Sequence, residues 1–119
     1  MIKKHGGLDS ISLENIDEPK CGNNKVLVSI KASALNHLDI WVSNGLPGIN
    51  IPLPLILGSD GAGTIVEVGK NIDTFKIGDD VVIQPGTFPE INGKENYSPN
   101  YGILGETENG VQSEFVLLS

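Results

Sequence analysis

No arginine occurs among the 119 residues, and cysteine, tryptophan and methionine each occur once. The eight cationic side chains are all lysines, set against fifteen carboxylates for a formal net charge of −7. Phosphate backbones and anionic membrane surfaces are bound by clustered positive charge, so a chain this acidic argues against nucleic acid and membrane partners. The lone thiol, Cys21, excludes a disulfide within these residues and any multi-thiolate metal site. Long apolar runs are missing as well. The longest uncharged stretch, Ile40 to Ser59, is interrupted by Pro47, Pro52 and Pro54 and by Gly45, Gly48 and Gly58, a pattern unlike a membrane-spanning helix. Met1-Ile-Lys-Lys-His leads into Gly6-Gly7 rather than an apolar core, so no secretory leader is expected and the cytoplasm is the expected compartment.

What is present reads as one globular domain over residues 1–119, with 39% hydrophobic and 19% charged residues. "KVLVSIKASAL" (25–35) sets Val26, Val28 and Ile30 against Leu27, Ser29 and Lys31, the period of a strand with one buried face. "GTIVEVG" (63–69), "DDVVIQP" (ending at Pro85) and "SEFVLL" (113–118) repeat strand character. One segment differs. In "NHLDIWVSNG" (36–45), Leu38, Trp41 and Val42 fall at helical spacing behind Asn36, a good N-cap, with Gly45 as a natural stop. Strands without strand–helix–strand alternation predict an all-β domain, barrel or sandwich, carrying a short helix. Residues 84–110, rich in glycine and proline, are expected to form a long surface lobe.

Four glycines, Gly58, Gly61, Gly63 and Gly69, sit in "LILGSDGAGTIVEVG". A dinucleotide fingerprint places its glycines between a strand and a helix, with a different spacing. Here a β-branched run, Thr64-Ile65-Val66, follows, so these glycines read as barrel-corner positions needing positive φ or close backbone approach.

The ordered blocks "VLVSIKASALNHLDIWVSNG", "PLILGSDGAGTIVEVGKNIDTFKIGDDVV" and "YGILGETENGVQSEFVLL" resemble the N-terminal, GroES-like domain of medium-chain dehydrogenases/reductases, the alcohol dehydrogenase and quinone oxidoreductase superfamily. The resemblance covers nearly the whole chain. It implies an irregular, partly open β-barrel forming one wall of an active-site cleft, the other wall being a Rossmann domain that is absent from these residues. It also implies NADP or NAD as cofactor of the full-length enzyme, not bound by this chain alone. At the positions where zinc-dependent members carry a cysteine and a Gly-His-Glu, this chain has Asn36 and Gly58-Ser59-Asp60, and Leu38 stands where a hydroxyl residue relays the proton. Amide and hydroxyl donors suit zinc poorly, so no zinc is expected. The four-cysteine structural lobe of such members is matched by residues without cysteine, Ser98 standing at the last position, and a mobile lobe over 86–104 with Tyr97 and Tyr101 as packing anchors is expected.

The resemblance therefore implies hydride transfer from a nicotinamide to a quinone or unsaturated carbonyl, a small-molecule substrate, with no turnover by this chain alone. Asn36 and Ser59 are the expected catalytic donors to the carbonyl oxygen. His37 is a weaker catalytic candidate, a solvent-facing helix residue being the alternative. Asp39, Asp60 and Trp41 are placed at the substrate cleft, although core packing is the favoured reading for Trp41 and local capping an alternative for Asp39. No role is expected for His5, and the opening strand is expected to be short. The exposed domain interface is expected to promote self-association. The competing reading is a non-catalytic GroES-like binding or structural module, which a ring-sized assembly would reveal.

Overall fold

A computed structural model describes residues 1–87 and 101–119. Its centre is a four-stranded antiparallel sheet in the order β3-β2-β1-β6, built from β1 (Val26–Ser33), β2 (Gly61–Val68), β3 (Asp80–Val82) and β6 (Phe115–Leu118). The expected strands are all present. β1 and β2 run together from Val26↔Val68 to Ser33↔Gly61, with register shifts at Leu27/Val28 and Ile30/Ala32. Such bulges bend a strand and increase its twist, which curls the sheet. The edge strands β3 and β6 do not pair with each other, so the curl stays open, as a partly open barrel requires. A separate ribbon pairs β4 (Gly86–Thr87) with β5 (Gly102–Ile103). The expected mobile lobe and its anchor Tyr97, with Ser98, lie mostly outside the described residues; Tyr101 is exposed beside β5.

The hydrophobic residues divide between two clusters. Val26, Val28, Ile65, Ile83, Leu104, Val111 and Val116 fill the sheet side. Ile2, Val42, Ile51, Leu55 and Leu57 form the other, with Leu38 and Leu46 packed against it. The simple alternation expected for β1 fails at Leu27, which is 1% exposed, so the strand starts buried on both faces. Ile2 explains the short opening strand. It pairs with Leu55 through mutual backbone bonds of 2.8 and 2.9 Å and bridges to Ile11, adding one pairing rather than a full strand. A 3-10 turn, Gly7–Ser10, follows.

Helix α1 (His37–Asn44) occupies the predicted place, with Asn36 at the N-cap and the Gly45 N–H closing onto the Val42 carbonyl at 3.1 Å. Leu38 and Val42, one turn apart, point into the second cluster, and Val42 is fully buried. Burying such a side chain stabilises by about 1.5–3 kcal/mol, which fixes the helix against the chain entering the glycine corner. His5, for which no role is expected, lies at the other end of α1, its Nδ1 3.2 Å from the Val42 carbonyl.

Candidate functional site

The corner after Leu57 is held by backbone bonds to a neighbouring stretch. Gly110 N–H donates to the Ile56 carbonyl at 2.8 Å, Gln112 to Leu57 at 2.9 Å and Val111 to Gly58 at 3.0 Å. Gly58 has φ +97°, a left-handed value that L side chains rarely adopt, and a Cβ there would collide with the Gln112 stem. Gly63 answers the close-approach requirement instead, since a Cβ on it would strike the Ser29 carbonyl across the β1–β2 pair. Gly58 thus serves the corner and Gly63 the strand it feeds, whereas Gly69 lies just past the far end of β2, where a Cβ would meet the Gly22 and Asn23 carbonyls.

Around this corner the structure gathers Asn36, Asp39, Ser59 and Asp60. Asp39 is 7% exposed in the first turn of α1. Its Oδ2 accepts the Asn36 N–H at 2.8 Å, its Oδ1 accepts the Gly58 N–H at 3.0 Å, and the Gln112 amide approaches Oδ2 at 3.4 Å. No cation pairs with it among the described residues. A buried carboxylate without a counter-ion is tolerable here because backbone N–H groups bond both of its oxygens at the start of the helix. Asp39 therefore ties the helix start to the glycine corner, the local role kept open for it from the sequence.

Asp60 is exposed and its Oδ2 accepts an N–H of the Asn36 side chain at 2.7 Å. Ser59, next to Asp60 in the chain, is 5% exposed, and its buried hydroxyl has no hydrogen-bond partner among the described residues. A buried hydroxyl left unsatisfied costs on the order of 1–3 kcal/mol. A hydroxyl with no partner keeps its donor available for an oxygen acceptor.

His37 and Trp41 are on the outward side of α1, their ring centroids 4.9 Å apart with planes tilted by 51°. Trp41 is 52% exposed, which corrects the favoured core-packing reading. The inward side is filled by Leu38 and Val42 and by the buried Asp39 and Ser43, which leaves His37 and Trp41 on the outer side of the helix. His37 likewise is exposed.

An amide committed to Asp60, a hydroxyl and one exposed carboxylate differ from the thiolate, imidazole and carboxylate set zinc takes, and among the described residues no group of three or more His, Cys, Asp or Glu is placed to hold a metal. The corner glycines lead into β2 rather than into a helix N-terminus, unlike a dinucleotide fingerprint. Two residues of the site had no signal in the sequence. Gln112 reaches Asp39 and lies over Gly58, and Asn109 accepts the Ile56 N–H at 3.0 Å. Only their nearness to Gly110 hinted at a turn.

Residues 22–119 match the alcohol dehydrogenase GroES-like domain, and the chain belongs to that family. A zinc-type alcohol dehydrogenase-like protein of Schizosaccharomyces pombe is 34% identical over 113 residues, spanning 94% of this chain and 32% of that protein. Crotonyl-CoA carboxylase/reductase of Cereibacter sphaeroides is 33% identical over 125 residues, spanning 95% of this chain and 29% of that protein. The crystal structure of an NAD-dependent alcohol dehydrogenase superposes with a TM-score of 0.91 at 38% identity, covering 98% of this chain and 36% of that one. The mostly β, open architecture is therefore that of the N-terminal domain of medium-chain dehydrogenases. The chain spans about a third of the relatives' length.

Proposed function

We propose that this chain is the substrate-cleft wall of a zinc-independent, NAD(P)-dependent oxidoreductase that reduces a quinone or unsaturated carbonyl compound. The observation that carries this reading is the buried Ser59 hydroxyl, without a hydrogen-bond partner among the described residues and one residue before the Asp60 that holds the Asn36 amide, a donor chemistry that suits a carbonyl oxygen rather than a metal. A reduced nicotinamide, held by a part of the enzyme outside these residues, would supply the hydride. The work of this chain is to receive the oxygen. Ser59 Oγ–H and the second N–H of Asn36 would donate to it as negative charge develops, and their fixed positions spare reorganisation at that moment. Asp39 keeps the helix start and the corner in register, so both donors stay aligned. The proton that completes the reduction would come from solvent or from exposed His37.

The reading is tested with the enzyme that carries this chain, by following NADH or NADPH oxidation with naphthoquinones in the presence of a strong zinc chelator. Chelator-insensitive quinone reduction, with kcat lowered about 100-fold by Ser59→Ala as for the loss of one oxyanion donor, is expected. Activity abolished by the chelator and restored by zinc would contradict it. The 119-residue chain alone is expected to show no turnover.

A further inference from the structure

Asp60 is exposed, yet both it and its partner are held by the backbone. Its carbonyl accepts the Ala34 N–H at 3.0 Å, while Oδ2 takes the Asn36 amide at 2.7 Å. Asn36 is fixed in turn by the 2.8 Å bond from its own N–H to Asp39. Exposed polar pairs contribute little to stability because water competes for both groups. A short bond between two anchored residues there serves geometry. A primary amide is planar and has two N–H donors, so committing one to Asp60 sets the plane of the group. The remaining N–H and the carbonyl oxygen then have fixed directions at the corner that carries Ser59.

The carboxylate also brings charge. No ammonium pairs with Asp60 among the described residues, and the chain as a whole carries a net charge of −7. We infer that Asp60 is a positioning and specificity-determining residue: it aims the Asn36 amide at the carbonyl site and, by its charge, selects uncharged carbonyl substrates over anionic ones. This rests on the carbonyl-reducing role proposed above. An anionic substituent held about 7 Å from a partly solvated carboxylate is disfavoured by roughly tenfold, and added salt should erode that factor as the screening length shortens.

The test uses the purified chain with Cys21→Ser as background, because quinones alkylate thiols, and compares Asp60 with Asp60→Asn and Asp60→Ala. Binding of 1,4-naphthoquinone and of 1,4-naphthoquinone-2-sulfonate is followed by nuclear magnetic resonance at low and high salt. The neutral quinone should bind about tenfold tighter than the sulfonate at low salt, the ratio falling toward one in Asp60→Asn and at high salt. Without ligand, the Asn36 side-chain amide protons should be protected from exchange in the parent and in Asp60→Asn, which keeps an acceptor oxygen, and lose protection in Asp60→Ala. A ratio unchanged by Asp60→Asn overturns the charge selection, and Asn36 signals unchanged in Asp60→Ala overturn the positioning role. A chain that binds neither quinone contradicts the carbonyl reading and the charge filter built on it, while the ligand-free Asn36 signals still decide the positioning role.

Discussion

Asp39→Asn changes one buried atom from an acceptor to a donor, and the surrounding N–H groups cannot adapt. In the native site both carboxylate oxygens accept backbone N–H bonds, from Asn36 at 2.8 Å and from Gly58 at 3.0 Å. An asparagine can satisfy one of these with its carbonyl oxygen, but its amino group then faces the other N–H. One buried backbone donor is left unpaired, at a cost of about 1–3 kcal/mol. Losing the negative charge at the start of α1 adds roughly 0.3–1 kcal/mol. The two effects together predict a destabilisation of about 1.3–4 kcal/mol. Urea denaturation followed by the fluorescence of the single tryptophan, Trp41, reads this directly because Trp41 sits on the same helix. With m near about 2 kcal/mol/M, the midpoint should fall by roughly 0.7–2 M. A shift worth less than about 0.5 kcal/mol, the range of ordinary surface substitutions, would refute the claim that Asp39 ties the helix to the corner.

Gly58→Ala should cost about 2 kcal/mol or more, since φ is +97° and the added Cβ meets the Gln112 stem; thermal denaturation measures it. Leu57→Ala, removing a side chain that is 1% exposed, should cost about 2–5 kcal/mol. Combining it with Val42→Ala in the same cluster should give a non-additive total in a double-mutant cycle. The Ser12 hydroxyl and, after it, the Lys3 ammonium hold the Glu14 carboxyl below its usual range. A carboxyl lowered by folding contributes stability that is complete above its unfolded value and lost as pH falls through its folded one. Glu14→Gln should therefore flatten the stability loss below about pH 4.5, as read from acid titration of the denaturation midpoint.

The strands and the helix were legible because each rests on local information. Val26 and Val28 alternate toward a core, Thr64 to Val66 is β-branched, and Asn36 and Gly45 mark the ends of α1. The glycine corner was legible for the same reason, a positive φ at Gly58 and crowding at Gly63 leaving no room for other residues. Properties set by distant packing were not. Which of Trp41 and Val42 turns inward depends on Ile2, Leu55 and Leu57, far away in the chain, and helical spacing alone admits both. Leu27 is buried although its position in the alternation marks it for the outer face. The grouping of Asn36 with Ser59 and Asp60 followed from the family resemblance, but the bond from Asn36 to Asp60 joins residues 24 apart and the Gln112 contact with Asp39 spans 73. No local pattern records those distances.

The central claim is that the Ser59 hydroxyl and the Asn36 amide receive a carbonyl oxygen. Its most direct measurement is the footprint of 1,4-naphthoquinone on the backbone amides of the Cys21→Ser chain, compared with the same chain carrying Ser59→Ala. Saturable shifts confined to the start of α1 and the Gly58–Gly61 corner, weakened at least several-fold by Ser59→Ala, are predicted. Shifts centred elsewhere, or a footprint indifferent to the loss of the Ser59 hydroxyl, would contradict the account.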